Sequence, residues 1–422
     1  MTFKQKLVRI IVFFRIYHQW KRLARKAGSK SYQSSRTPSL VIVPCDPWSV
    51  GGSRGDEAML MAVIDQYRQR YPDIPVHIVC ADDGFGYIRN LPLPNLQPIS
   101  SWNGNYPLDS ICKAIVDTKP TDVVVLGADC IDGHYNPSLS LMLLSIYDVC
   151  RHLNGVRSRL LGFSFNDHPS WLMLLALKSL NDDVCLNLRD DVSLARYRKK
   201  VHRPSRLVAD AAFMLQPKYG FALYDEIKQW TDLQRSEGQT IIGLNFHPML
   251  RSYSGADEIK ADAIILAKNI AQILHKHTSI SFVFIPHDDR SRITDNLMLS
   301  TMYDYLKKET RIFYSPEVPR APQLKALCGL LDGLISSRMH LAIAALGMNV
   351  PVMAATYQGK FEGLFHHFSL YDKYLLTPDR FLSQEMIDTF SMFVEELPIL
   401  SQQVAEKMPE VLEKSKLNLA DE

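Results

Sequence analysis

Two residues able to do chemistry stand two apart in Arg338-Met339-His340. A guanidinium offers a planar fork of N–H donors that matches a carboxylate or phosphate, and an imidazole exchanges a proton near neutral pH. Such a pair is a candidate anion site with an acid beside it. The flanking sequence predicts its position. Residues 330–335 are mostly apolar and read as a buried strand ending at Ser336 and Ser337. Residues 341–346 continue as a small-residue helix, Gly347 and Asn349 suit its end, and residues 351–355 read as the next buried strand. The pair therefore falls where a strand gives way to a helix. Ligands of open α/β sheets bind beyond the carboxyl ends of the strands, and the free N–H groups of a helix start favour an anion there. Lys360 follows the polar loop Thr356-Tyr357-Gln358-Gly359 and can reach the same crevice. The competing reading is a helix-capping arginine and a core histidine.

Further candidates recur at predicted strand ends. Residues 40–43 form the first strand, then a loop carries Gly52, Gly55 and Asp56 into a helix reaching about Arg70. The glycines let backbone approach a ligand closely, and Asp56 either caps the helix or accepts a proton. The loop lacks G-x-G-x-x-G, so no dinucleotide site is expected. Other strands are expected at 76–80, 122–126, 159–163 and 184–188. Asp129 follows the third strand and is suited to sugar hydroxyls. Arg189 ends the last of them and is a second anion candidate, with pairing to Asp190 or Asp191 as the structural alternative. A second β–turn–α series begins at 241–245, ending at His247, and continues at 281–285, ending at His287. Both histidines are crevice candidates.

The ordered set Arg338-x-His340, Gly347 with Pro351 four residues on, and Tyr357-x-x-Lys360 resembles the C-terminal signature of the polysaccharide pyruvyl transferases. Gly55-Asp56 matches the end of that family's N-x-G-D segment, with Ser53 in the Asn position. Arg189-Asp190-x-x-Ser193, Asp210-x-Ala212-Phe213 and Pro286-His287 followed by Asp289 and Asp295 also match. The resemblance covers roughly residues 41–368. Ala128-Asp129 departs from the family's usual run of glycines.

Composition sets outer bounds. The chain has 422 residues, 46% hydrophobic and 22% charged, so two globular domains are expected. Its net charge of +3 hides an asymmetry: the first 45 residues hold ten Lys or Arg and no acid. The remainder then has 48 − 10 = 38 basic against 45 acidic residues, or −7, which argues against a nucleic-acid partner. Seven dispersed cysteines without C-x-x-C or zinc spacing read as reduced thiols, and no metal site is expected. Within residues 1–36, Leu7, Ile10, Ile11, Phe14, Tyr17, Trp20 and Leu23 recur at helical spacing among basic residues. The run is too short to span a bilayer. It reads as a basic amphipathic helix lying on an anionic membrane or docked on protein, and the membrane reading makes residues 1–36 dispensable for folding and activity.

The boundaries expected are a tail and linker at 1–37, a Rossmann-like acceptor-side domain at 38–218, a Rossmann-like donor-side domain at 238–378 and a helical segment at 379–422. The fold class is α/β, two Rossmann-like domains facing a cleft in the manner of GT-B enzymes. The resemblance implies transfer of a pyruvyl group from phosphoenolpyruvate to two hydroxyls of a sugar, in a cell-surface polysaccharide or a lipid-linked precursor, giving a cyclic ketal. On that reading Arg338, Arg189, Lys360 and His287 hold the donor, and His340 supplies the proton. Gly55 and Asp129 serve the acceptor, and Asp56, Asp129 or His287 is the base. No metal or organic cofactor is required, and the enzyme works in the cytoplasm, at most peripheral to the membrane's inner face. Two alternatives use the same residues: a nucleotide-sugar glycosyltransferase of GT-B fold, and a non-catalytic membrane-associated scaffold.

Overall fold

Short runs of β-branched and aliphatic residues become parallel strands, and each is followed by a helix. The computed structural model describes every residue except 1, 2, 30, 31, 33, 92, 105, 249, 250, 252, 254, 289–293, 357, 358, 421 and 422. Tyr357 and Asp289 of the family pattern thus lie outside the described residues. The chain divides into two units. One comprises Met1–Gly51, Met59–Met214 and Glu413–Glu422; the other comprises Gly52–Ala58 and Leu215–Leu412.

In the first unit, β1 (Leu40–Val43), β2 (Val76–Cys80), β3 (Leu96–Ser100), β4 (Asp122–Val125) and β5 (Arg157–Leu160) form a parallel sheet in the order β3-β2-β1-β4-β5. Every residue of β1 and β4 is buried, as a sheet covered on both faces requires. β6 (Leu186–Leu188) and β7 (Ser205–Leu207) pair separately, and Phe163 bridges Ala128 to Leu188. The strand expected at 159–163 instead begins at Arg157. Its charges are tolerated because Asp122 accepts two hydrogen bonds from Arg157, at 2.9 and 2.8 Å, and one from Arg159, at 2.8 Å.

The N-terminal helix, Phe3–Ser29, packs one face on this unit, chiefly against the helix Pro137–Arg151. Phe13, Ile16 and Trp20 are fully buried there, with Ala24 and Ala27 beside them, and Trp20 Nε1 donates to Asp148 Oδ2 at 2.7 Å. The docking face runs through positions 13, 16, 20, 24 and 27, so this helix fills part of the core, and its removal is expected to destabilise the first unit. Trp20→Ala, which empties a large buried site and leaves Asp148 short of a donor, is expected to lower unfolding free energy by about 3–5 kcal/mol in a urea titration. No described helix is long and apolar enough to cross a membrane.

In the second unit, β8 (Thr240–Asn245), β9 (Ile280–Phe284), β10 (Ile312–Tyr314), β11 (Gly333–Ser336), β12 (Val352–Ala355) and β13 (Leu375–Leu376) form a parallel sheet ordered β10-β9-β8-β11-β12-β13. The long helix Gln384–Lys416 contains Pro398 and Pro409 and lays Phe393 and Leu397 against Gly333 of β11. Its last residues count with the first unit, where Ser415 donates to the Asp210 carbonyl at 2.7 Å and Asn418 Nδ2 to the Ala209 carbonyl at 2.8 Å.

Candidate functional site

Because the strands of the second sheet are parallel, their carboxyl ends share one edge. Asn245 ends β8, His287 follows β9, Arg338 and His340 follow β11, and Lys360 opens the helix Lys360–His367 after β12. Arg338 holds an extended backbone just before the helix Met339–Leu346, and its side chain caps nothing. It turns instead to two carboxylates. Nη2 meets Asp295 Oδ1 at 2.5 Å, Nε lies 3.2 Å from the same oxygen, and Nη1 pairs with Asp288 Oδ2 at 3.1 Å. Asp295 is fully buried and also accepts from Asn245 Nδ2 at 2.9 Å and from the His287 backbone N–H at 3.1 Å. Four donors on one buried carboxylate fix the guanidinium plane.

His340 is half-buried rather than a core residue. A Cβ built on Gly55 would lie 2.2 Å from His340 Nδ1, so the close approach that this glycine permits is to the imidazole. Asp56 lies in the first turn of the helix Arg54–Arg70. It is the helix's third residue, and the Gly55 N–H is taken by Ser53 Oγ at 3.2 Å. Glu57 anchors this turn, and nothing local in the sequence marks it out. It is fully buried, accepts from Arg320 Nη1 and the Ala321 N–H, both at 3.1 Å, and lies 3.5 Å from Arg54 Nη1. Arg54 in turn donates to the carbonyls of Pro319 and Val318, at 2.8 and 3.1 Å.

His287 is 5% exposed. Burial above all, then the nearby charges of Arg338 and His340, push its pKa well below the usual histidine value, so its imidazole is neutral at physiological pH. Its Nδ1 and the Asn245 Oδ1 are buried without a hydrogen-bond partner among the described residues. Buried polar atoms are nearly always satisfied, so a water or another polar group is expected to meet these two atoms. His247 is half-buried, and its backbone N–H donates to Ser337 Oγ at 2.6 Å. Lys325, which the sequence also hid, is buried and donates to the Leu215 carbonyl at 2.7 Å; burial brings its pKa down to about 8. A Cβ at Gly347 would sit 3.0 Å from its Nζ, which accounts for that glycine, while the positive φ of +63° at the turn belongs to Asn349.

The first unit carries its own polar edge. Arg189 is 3% exposed, with Nη1 on Asp210 Oδ2 at 2.9 Å and Nε on Ser164 Oγ at 2.7 Å. Burial opposes its charge, and Asp210, Asp129 and Asp190 outweigh that. The geometry favours a structural arginine paired with Asp210. Asp190 caps the helix Asp191–Val201 by accepting from the Ser193 N–H at 2.6 Å, and Ser193 is buried. Asp129 is half-buried after β4. The preceding Ala128 takes φ +46°, a conformation that favours glycine.

The two parallel α/β sheets place this chain among proteins of GT-B fold. It is similar to UDP-GlcNAc 2-epimerase from Neisseria meningitidis, bound to UDP-GlcNAc (TM-score 0.55, 13% identity, 91% of this chain and 98% of that one). It is also similar to sucrose-phosphate synthase from Thermosynechococcus elongatus (TM-score 0.54, 10% identity, 91% and 97%) and to Anabaena HepE in complex with UDP-glucose (TM-score 0.53, 14% identity, 91% and 98%). No curated protein sequence matches. The profile of the polysaccharide pyruvyl transferases matches residues 54–359, and the chain belongs to that family.

Proposed function

We propose that the protein transfers the pyruvyl group of phosphoenolpyruvate to two hydroxyls of one sugar, forming a pyruvate ketal and releasing inorganic phosphate. The acceptor is a polysaccharide of the cell envelope or its lipid-linked precursor, met in the cytoplasm at the inner face of the membrane, with residues 1–36 in peripheral contact. The observation that carries the reading is the Arg338 guanidinium held by buried Asp295 at one edge, with His340 two residues on.

The donor's carboxylate or phosphate takes the place of Asp288 on Nη1 of Arg338, and Lys360 provides the second cation. Asn245 Oδ1 and the neutral His287 Nδ1 are polar atoms free to meet the bound substrates. His340 protonates the methylene carbon, which becomes a methyl group. A sugar hydroxyl then adds to the adjacent carbon and gives up its proton to a base. The C–O bond to phosphate breaks with its electron pair leaving on phosphate, and the second hydroxyl adds to close the ketal, its proton returning to the His340 imidazole that gave one to carbon. Asp56, one residue after the glycine that meets His340, is the base we favour; Asp129 and His287 are the other candidates. Gly55 acts through the imidazole, and Asp129 serves the acceptor. Arg189, buried on Asp210, is assigned to holding its loop rather than to the donor.

Millimolar phosphoenolpyruvate is expected to raise the melting temperature of the wild type. Arg338→Lys keeps the charge but loses the fork. It should still fold, with a lowered melting temperature because buried Asp295 loses its two-pronged partner, and lose donor affinity worth about 1.5–3 kcal/mol, that of a charge-assisted hydrogen bond. Stabilisation by a UDP-sugar and none by phosphoenolpyruvate would replace this reading with glycosyl transfer, in which Arg338 binds a diphosphate.

A further inference from the structure

The N-terminal helix is docked by one face only. At 3.6 residues per turn, positions 13, 16, 20, 24 and 27 share the docked side, and positions 4, 7, 8, 11 and 15 share the opposite one. That outer side holds Lys4, Leu7, Val8, Ile11 and Arg15. Leu7, Val8 and Ile11 are 48%, 52% and 60% exposed, a cluster of large apolar side chains that the fold leaves in solvent. Farther along, Arg25 lies on the same side and is exposed, while Arg22 beside it is paired with Asp109 at 2.7 Å; no acid occurs in the helix itself.

We propose that this outer face is the seat of an anionic lipid surface. Leu7, Val8 and Ile11 enter the boundary between headgroups and acyl chains, and the cations of the same side meet lipid phosphates and carboxylates. Two observations favour lipid over a second protein surface. Lys4, Arg15 and Arg25 flank the small apolar patch along one line, and a helix without acid is complementary to an anionic bilayer. Because the aromatic face is spent on the core, the helix lies flat on the membrane as a rigid part of the first unit. The aromatic residues Phe14, Tyr17 and Trp20, expected from the sequence to face lipid, pack against the core instead. The inference rests on the reading that the acceptor is lipid-borne, but its test does not depend on catalysis.

The full-length protein should sediment with vesicles rich in phosphatidylserine at low salt, bind phosphatidylcholine vesicles far less, and be released by high salt. Leu7→Ser/Ile11→Ser should reduce partitioning onto the anionic vesicles by roughly tenfold or more. It should also leave unchanged the melting temperature, the sedimentation coefficient and phosphate release with a soluble glycan acceptor. Lys4→Glu should weaken binding in the same direction. Equal binding of variant and wild type, or equal binding to both kinds of vesicle, overturns the proposal. A fall in melting temperature would return Leu7 and Ile11 to packing, and a fall in sedimentation coefficient would assign the face to a second copy of the chain. If vesicle binding holds while phosphoenolpyruvate is not turned over, the lipid seat stands and the transfer reading fails.

Discussion

Gly55→Ala is expected to fold and to lose turnover by about 10²-fold, the cost of displacing a reacting group by about 1 Å. The added Cβ would lie 2.2 Å from His340 Nδ1, 2.6 Å from Cγ and 2.8 Å from Cε1. It would meet the body of a ring rather than a flexible tip, and it cannot yield by moving its own turn. Glu57 and Arg54 hold that turn with hydrogen bonds to Arg320, Ala321, Pro319 and Val318. The imidazole must therefore move. Overpacking of this kind costs roughly 1–3 kcal/mol of stability, which a melting curve will read separately from kcat. A variant with normal kcat would show that the position of His340 does not matter to the reaction.

His340→Gln should lose about 10²–10⁴-fold in kcat, the usual contribution of a general acid, with little change in donor affinity. An amide can keep a hydrogen bond but cannot deliver a proton to carbon. In deuterated water the wild type should place deuterium in the ketal methyl group at the rate of turnover. Retained kcat in the variant would remove His340 from the proton transfer. His287 would be a poor substitute as acid, since burial keeps it neutral; attention would pass to His247. Joint loss of fold and donor binding would make His340 structural, a role its partial exposure argues against.

Much of the architecture was legible because a parallel sheet covered on both faces demands continuous apolar runs, and β1, β2, β4, β8, β11 and β12 are such runs. β3 escaped because Pro98 and the exposed Gln97 and Ser100 weaken its pattern, as befits a strand at the sheet edge. β13 has two residues and no pattern at all. At the site, Arg338 and His340 could be found because their spacing is local. Their partners could not. Glu57 meets Arg320, and Arg338 meets Asp295, across long stretches of sequence that only the folded chain brings together. Arg189 shows the same dependence on the fold: its neighbours Asp190 and Asp191 suggest local pairing, and the folded chain also brings Asp210 to its guanidinium.

The division of the chain has a practical corollary for anyone dissecting it. The second unit takes seven of its residues, Gly52–Ala58, from far upstream of the rest. A fragment cut at Leu215 would include Arg338 and His340 but not the glycine that abuts the imidazole. It would also lack the carboxylate that starts the helix Ala321–Cys328. Recombinant halves made by cutting once would thus carry an incomplete pocket, and gene fusions or permuted chains need to keep that heptapeptide with its distant partners.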